Sequence, residues 1–162
     1  METISKILVP LDFSAHSTRA LHYAVDLAQH YDGAKLELVH VFDATLYALP
    51  DARLLSHEQF EQTFKDLERM LADAKSDAQA SGAQAVDTLL LQGKPDEEIT
   101  RRAREGKFDV IVLGTHGRTG IKHMLIGSVA ERIVRSSPCP VFAVKALAAT
   151  SAPSTTAANV SS

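Results

Sequence analysis

The sequence predicts a doubly wound α/β domain, in which a five-stranded parallel sheet carries helices on both faces. Short apolar segments alternate along the chain with longer segments of helical periodicity. This alternation is typical of parallel strands joined by right-handed crossovers. The apolar segments also contain few polar residues, as expected when both faces of a sheet are covered.

The first half of the chain contains two predicted strands and two predicted helices. The β-branched run ISKILVP ends at a proline and predicts the first strand, and KLELVHVF, interrupted mainly by Glu37 and His40, predicts the second. Asp32 and Gly33 end the helix between them, and a loop at 47–56 precedes a longer helix. Apolar residues at helical spacing define the two helices: Leu21, Ala24, Val25 and Ala28 in the first, and Phe60, Phe64, Leu67, Leu71, Ala74 and Ala78 in the second.

The second half contains three predicted strands and two further helices. The strands are AVDTLLLQ, FDVIVLG and PVFAVK. Pro95 opens a helix through Arg104, a favourable place for proline because the first helical N–H needs no partner within the helix. The last helix is predicted from Ser128 to Arg135, before the segment SSPCP.

Composition limits the class of protein. A chain of 162 residues is long enough for one well-buried domain. A net charge of -3 argues against a general nucleic-acid-binding surface, which needs excess lysine and arginine. No apolar run reaches the roughly 20 residues of a membrane span, and the N-terminal apolar run, broken by Pro10 and Asp12, is too short for a signal peptide. We therefore expect a cytoplasmic protein that binds neither nucleic acid nor membrane.

The last 17 positions, residues 146–162, differ from the rest of the chain. They read ALAATSAPSTTAANVSS, with Leu147 and Val160 as the only bulky apolar residues. A segment of this composition cannot bury enough apolar surface to offset the entropy lost on ordering. We expect a folded domain at 1–145 and a disordered tail at 146–162.

The segment 114–134, GTHGRTGIKHMLIGSVAERIV, contains the strongest local signal for a ligand. Gly114 ends a strand, Gly117 follows three residues later, and Gly127 precedes a helix that starts at Ser128. The first amides of a helix have no partners within it and, with the positive end of the helix dipole, favour an anion. Four basic or titratable residues add to this preference: His116, Arg118, Lys122 and His123. The segment therefore indicates phosphate binding.

Structural explanations remain open for the same residues. Ser128 and Glu131 have the spacing of a capping box, which needs no ligand, and Asp12 competes with Ser14 to cap the first helix. The loop is neither a Walker A motif nor G-x-G-x-x-G. No HExxH motif is present, and Cys139, the single cysteine, lies in no CxxC pair and is interpreted as a packed residue. We predict no metal site.

The spacing G-x2-G-x9-G-[ST], formed by Gly114, Gly117, Gly127 and Ser128, resembles the signature of the ATP-binding branch of the universal stress protein family. The resemblance extends over about residues 4–145, through KILVPLDFS, LVHV, VIVLGTHGRTG and GSVAERIVRSSPCPVFAVK. It implies a Rossmann-like, adenine nucleotide alpha hydrolase-like sheet of order 3-2-1-4-5. In that order the winding reverses between the first and fourth strands, which brings Asp12 and Gly114 to one crevice.

The resemblance also implies roles for individual residues. Asp12, after Pro10, is expected beside the adenosine, and the backbone of Val41 at the adenine edge. The remaining expected contacts are with the sugar and phosphates: Leu113, Gly114, Gly117, Gly127, Ser128 and Val129, with His116 and Arg118 close to the phosphates.

The function implied is that of a cytoplasmic ATP-binding module in stress response and signalling, without catalytic residues. Resemblance further implies a homodimer paired through the last strand, Val141 to Val144. One alternative is an interaction protein in which the nucleotide is structural. Another is a slow ATPase, in which the Ser128 hydroxyl reaches Mg²⁺. No acidic residue lies between Gly114 and Ser128 to supply a base or a strong magnesium ligand, so ATP binding without rapid turnover is the prediction.

Overall fold

The computed structural model describes residues 3–43, 56–116 and 126–145. Within these ranges strands and helices alternate as the sequence predicts. In chain order they are β1 Lys6–Pro10, α1 Ala15–His30, β2 Lys35–Phe42, α2 His57–Ala80, β3 Val86–Gln92, α3 Pro95–Gly106, β4 Val110–Gly114, α4 Ser128–Ser136 and β5 Val141–Val144.

The five strands form one parallel sheet in the order β3-β2-β1-β4-β5, which confirms the predicted fold class and strand order. Ile7 of β1 is paired with Leu36 of β2 on one side and with Val110 of β4 on the other. The winding direction therefore reverses at β1. In an open α/β sheet such a reversal leaves a crevice at the carboxyl ends of the strands.

Two apolar cores lie on the two faces of this sheet. Ile7 and Val9 point into the core beneath α1 and α2, whereas Leu8 points into the core beneath α3 and α4. Because both faces are buried, the strands show no hydrophobic alternation in the sequence. The first core also contains Leu21, Ala24, Val25, Ala28, Leu71 and Ala78, and the second contains Ile99, Ala103, Ala130 and Ile133.

The two polar interruptions of β2 are buried, as expected for a strand covered on both faces. Glu37 accepts two hydrogen bonds from Arg102 of α3, from Nε at 2.5 Å and from Nη2 at 2.6 Å. His40 Nδ1 lies 2.6 Å from the carbonyl oxygen of Leu11. The Glu37 carboxylate and His40 Nδ1 thus each have the hydrogen-bond partner that burial demands.

The start of α1 decides between the two candidate capping residues. Ser14 is the N-cap, and its hydroxyl accepts from the amide of Ser17 at 3.2 Å. Asp12 is therefore not the cap. Its Oδ1 instead accepts from the amide of Ser14 at 3.0 Å and from the Ser14 hydroxyl at 2.6 Å, so Asp12 orients the capping residue.

Two helices end where residues adopt the left-handed backbone conformation. After α1, Asp32 and Gly33 take φ of 55° and 79°, which confirms the predicted stop. The helix that begins at Pro95 continues past the predicted Arg104 to Gly106, where Lys107 takes φ of 52° as its C-cap.

The predicted loop at 47–56, except Ser56, and the predicted tail at 146–162 lie outside the described residues. The domain boundary at residue 145 therefore stays a prediction. None of the helices in the described ranges is long and apolar enough to cross a bilayer.

Candidate functional site

A cavity of about 350 Å³ opens at the carboxyl ends of β1, β2 and β4, where the winding reverses. Its size falls within the range of about 300–1,000 Å³ typical of small-molecule sites. Gly117 and Arg118 lie outside the described residues. The other sequence-predicted site residues all line this cavity: Pro10, Asp12, Val41, Leu113, Gly114, His116, Gly127, Ser128 and Val129.

The N-terminus of α4 forms one end of the cavity. Gly127 is the N-cap residue and Ser128 is the first helical residue, with no side chain capping the helix among the described residues. The capping box expected as an alternative for Ser128 and Glu131 is therefore not formed. The first amides of this helix, from Ser128 to Ala130, are hydrogen-bond donors without partners inside the helix.

Backbone hydrogen bonds fix the start of α4 against the end of β4. The amide of Gly127 donates to the carbonyl of Thr115 at 2.6 Å, and the amide of Thr115 donates to Val144 of β5 at 2.9 Å. The helix N-terminus is thus held beside Gly114 and His116. Donors of this kind, held in place before a ligand arrives, together with the helix dipole, suit an anionic group.

Packing explains why residue 114 is glycine, and the sequence alone did not reveal this cause. A Cβ at this position would lie 2.8 Å from the carbonyl carbon of His16 and 2.9 Å from its oxygen. The first turn of α1 therefore approaches β4 so closely that only glycine fits. Gly114 brings α1 to the edge of the cavity as well as lining it.

A pair of histidines stands where α1 meets β4. The ring centroids of His16 and His116 are 5.0 Å apart, and Thr115 Oγ1 lies 3.0 Å from His116 Nδ1. Burial lowers the pKa of His16, the neighbouring His116 lowers it further, and Asp12 opposes the shift. The neutral ring of His16 is thereby favoured.

The opposite end of the cavity is largely apolar. Val39, Val41, Pro95 and Ile99 form its walls, and Asp43 follows β2 at the same edge. The cavity thus joins an apolar end to an end rich in hydrogen-bond donors. It suits a ligand with an apolar part and an anionic part.

Several lining residues were not singled out from the sequence. Asp43 and Pro95 could have been found, because each lies within three residues of the carboxyl end of a strand, where this class of sheet binds ligands. Ala130 and Ile133 carry only a core-facing helical pattern, which does not distinguish a cavity wall from a core.

Two further side chains, both outside the cavity, have structural explanations. Burial raises the pKa of the Cys139 thiol, and its side chain packs against the α3/α4 core, in agreement with its interpretation as a packed residue. Lys94 is exposed and its Nζ lies 3.0 Å from Glu97 Oε1. No cluster of three metal-ligating side chains occurs in the described part of the chain.

The chain belongs to the universal stress protein family, whose model matches residues 3–145. It is 35% identical over 142 residues to universal stress protein MJ0531 of Methanocaldococcus jannaschii, an alignment covering 86% of this chain and 81% of that protein. It is also 35% identical over 140 residues to a universal stress protein of Thermus aquaticus, covering 86% and 97%.

Solved structures agree with this assignment. The hypothetical protein MJ0577, whose structure served to assign its biochemical function, matches with a TM-score of 0.80 at 27% identity, covering 90% of this chain and 99% of that one. A universal stress protein crystallised in complex with cAMP matches with a TM-score of 0.68 at 25% identity, covering 88% and 98%. The sheet described above is therefore the fold of this family.

Proposed function

We propose that this protein binds ATP in the cavity at the carboxyl ends of the strands and acts as a nucleotide-dependent module in the cellular stress response. The observation that carries the proposal is the N-terminus of α4, which has no capping side chain and lines the same cavity as Gly114 and His116. A helix N-terminus that has no capping side chain and faces a cavity is a favourable phosphate site. The family relative in complex with cAMP supports an adenine nucleotide.

The difference between the two ends of the cavity supports one orientation of the proposed nucleotide. The phosphates lie at the α4 N-terminus, and the adenine lies between Val41 and the apolar wall from α3. Pro10 and Asp12 then flank the adenosine, and Leu113 lies below the sugar. The phosphate contacts are assigned to Gly114, His116, Gly117, Arg118, Gly127, Ser128 and Val129, with Mg²⁺ as an accompanying ion at the Ser128 hydroxyl.

Calorimetry with ATP tests the site through Gly127→Val. Gly127 has φ of -73° and ψ of 156°, a backbone conformation that valine adopts readily, so the fold is expected to survive. We expect the wild type to bind one ATP per chain. The new side chain lies at the cavity wall, so the affinity for ATP should fall at least about tenfold. Ala85→Val, at an exposed position away from the cavity, is the matched control. Wild-type affinity in folded Gly127→Val would show the assignment to be wrong.

The identity of the nucleotide can be read directly from the purified protein. Denaturing a fresh preparation and measuring the mass of any released small molecule distinguishes ATP from ADP, AMP and cAMP. We expect ATP. A different nucleotide in stoichiometric amount would contradict that choice while leaving the cavity as the site.

We propose binding without rapid hydrolysis. Phosphoryl transfer needs a group that orients the attacking water and a firmly held metal ion. Two acidic residues line the cavity in its described part: Asp12 already binds Ser14 through Oδ1, and Asp43 follows β2, the strand proposed to hold the adenine and not the phosphates. Bound ATP should therefore persist in a single-turnover assay with Mg²⁺. Conversion to ADP within seconds, lost in His116→Ala without loss of binding, would show that the protein is an ATPase.

We also propose that two chains pair through β5, Val141–Val144, with nucleotide-dependent signalling carried by the dimer. β5 lies at an edge of the sheet, and exposed apolar edges tend to pair or to be covered. Phe142 of this strand is 51% exposed and contacts Tyr23 of α1, itself 41% exposed, with ring centroids 6.2 Å apart.

A further inference from the structure

A second cavity, of about 220 Å³, lies between α1 and α2 on the face of the sheet away from α3 and α4. We call it the α1/α2 groove. Leu21 of α1 and Ala74 of α2 form part of its apolar floor, and Met70 is 41% exposed at its side. The groove is lined by Leu11, Phe13, Ser17, Thr18, Leu21, His22, Met70, Asp73, Ala74 and Asp77.

Two exposed carboxylates, Asp73 and Asp77, stand on the α2 side of the groove. Neither forms an ion pair with a lysine or arginine within the described ranges. Their positions are unfavourable for the helix alone. Like charges one turn apart repel, and Asp77 lies in the last turn, near the negative end of the helix dipole, where no basic residue balances it.

Residues that destabilise the helix or strand in which they lie are expected mainly at functional sites. A cation between Asp73 and Asp77 would relieve both the repulsion and the conflict with the helix dipole. The apolar floor beside them suits the aliphatic stem of a lysine or arginine, which packs on apolar surface while its charged end stays polar. The exposed Met70 adds an adaptable contact.

The groove shares a wall with the cavity proposed to bind ATP, which we call the nucleotide cavity. Leu11 and Ser17 line both. Phe13, which lines the groove, has φ of 63° and packs its ring at 4.8 Å from that of His40. A positive φ is strained for a bulky residue. Asp12, just before it, lines the nucleotide cavity and orients the capping Ser14.

We propose that the α1/α2 groove docks a basic segment of a partner protein, and that its affinity depends on whether the nucleotide cavity is occupied. A lysine or arginine of the partner lies with its stem on Leu21 and Ala74 and its charge between Asp73 and Asp77. Charge complementarity selects this occupant over the chain's own tail, because residues 146–162 contain no lysine or arginine. The dependence on nucleotide rests on the proposed function, whereas the docking itself does not.

Fluorescence anisotropy with a defined peptide tests the docking. The probe is a labelled ten-residue peptide of alternating leucine and lysine, added to the full chain at physiological ionic strength. Asp73→Asn/Asp77→Asn should weaken binding about tenfold, since two partly exposed ion pairs are lost. Glu58→Gln/Glu68→Gln removes the same charge from exposed positions on α2 that do not line the groove, and should change affinity less than about twofold. Equal effects of the two double variants, or no effect of either, overturn the proposal.

The same assay excludes other occupants. A peptide of alternating leucine and glutamate should not bind, and binding as tight as that of the lysine peptide would show that the groove is not selective for a cation. If Asp73→Asn/Asp77→Asn changes only the oligomeric state, a second copy of the chain occupies the groove and the proposal is wrong. Thermal melting of each variant verifies that it is folded.

Repeating the peptide titration in the presence of ATP tests whether the affinity of the groove depends on the nucleotide. We expect ATP to change the affinity for the lysine peptide at least about threefold. Phe13→Gly keeps the positive φ and removes the ring, so it should abolish this change while ATP still binds. An unchanged peptide affinity in protein that binds ATP overturns the dependence on nucleotide. Peptide binding in protein that fails to bind ATP would refute both the proposed function and that dependence, and leave the docking intact.

Discussion

Gly114 is required by the packing of α1 against β4, and the same residue lines the cavity. Gly114→Ala would place a Cβ 2.8 Å from a backbone carbon of His16, an atom that cannot move without shifting α1. We expect a loss of about 1–3 kcal/mol in the free energy of unfolding, as for other overpacked cores. Urea denaturation of the two proteins measures it.

The clash at Gly114 involves atoms that every residue except glycine possesses. His16→Ala leaves the carbonyl carbon, oxygen and Cβ of residue 16 in place, so the double variant Gly114→Ala/His16→Ala should be no more stable than Gly114→Ala. Recovery of stability in the double variant would mean that the imidazole ring, and not the backbone of α1, causes the loss.

The ion pair between Glu37 and Arg102 provides a second test at the scale of single residues. The Glu37 side chain is 10% exposed and that of Arg102 29%, and hydrogen bonding to Glu37 raises the pKa of the Arg102 guanidinium. Arg102→Met leaves the carboxylate in the core without its partner. Discounted for partial exposure, the expected loss is about 2 kcal/mol in the free energy of unfolding.

Replacing both members of this pair is the control. Glu37→Leu/Arg102→Met removes the charge together with its partner, so urea denaturation should show a stability closer to wild type than that of Arg102→Met. A double variant less stable than the single one would show that the pair stabilises the fold beyond compensating its own burial.

Some residues that line the cavity could be predicted from the sequence because their requirement is local. Gly127 precedes a helical pattern, and a helix start is visible in one chain segment. Other features depended on the exact first residue of a helix, which a sequence gives only to within a residue or two. These are the choice between Asp12 and Ser14 as the cap of α1, and the fact that Ser128 does not cap α4. The contact between Gly114 and His16 joins distant parts of the chain, so no local pattern could reveal it.

At the scale of elements, β2 was predicted to the residue and α3 was not. KLELVHVF is an apolar run bounded by Gly33-Ala34 on one side and a change of composition on the other, whereas α3 ends through a left-handed Lys107. Lysine carries little signal for a left-handed turn, since glycine and asparagine are the usual residues. The end of α3 is instead fixed by a backbone hydrogen bond, from the amide of Phe108 to the carbonyl of Ala103 at 3.1 Å, and by the burial of Phe108 in the core beneath α3 and α4.

Asp109 joins β1 to β4 and gives stability a dependence on pH. Its Oδ2 accepts from the amides of Ser5 and Lys6, both at 2.8 Å, and from the Ser5 hydroxyl at 2.9 Å. The hydrogen bond from the Ser5 amide is the largest cause that lowers the pKa of this carboxyl, with further lowering from the Lys6 amide, and burial opposes the shift. A lowered folded pKa means that the stabilisation is present above the unfolded value of about 3.8 and is lost as pH falls through the folded value.

We therefore expect Asp109→Asn to be less stable than wild type at pH 6, and the difference to shrink as pH falls below about 4. Urea denaturation at a series of pH values measures both. Asp87 provides the comparison, because its pKa is lowered mainly by an exposed side-chain contact with Lys35, which is worth little. A constant difference between Asp109→Asn and wild type down to pH 3 would contradict the assignment.

At the scale of the whole molecule, the proposed nucleotide cavity lies at the carboxyl edge of the sheet, and the α1/α2 groove lies beside it on the face covered by α1 and α2. The reversal at β1 lets the segment from Leu11 to Ser17 contact both, because the chain leaves the sheet there and begins α1. The sequence indicated one ligand site at this edge, from glycines and helix starts. It did not indicate the groove, because Asp73 and Asp77 look like ordinary solvent-exposed helix residues until α1 is placed beside them.

The free edge at β5 leads to a prediction about assembly. Phe142→Glu puts a charge on the exposed face of the edge strand and, because Phe142 is 51% exposed in the single chain, removes about 1 kcal/mol of apolar burial per chain. In a symmetric pair the loss occurs twice, so the dissociation constant of the proposed dimer should rise at least roughly thirtyfold. Size-exclusion chromatography with light scattering should show dimeric wild type and monomeric Phe142→Glu. Tyr31→Glu, 37% exposed and beyond the far end of α1 from the cavity, should remain dimeric, as should a chain truncated after Lys145. A monomeric wild type, or a dimeric Phe142→Glu, would show that β5 is not the interface.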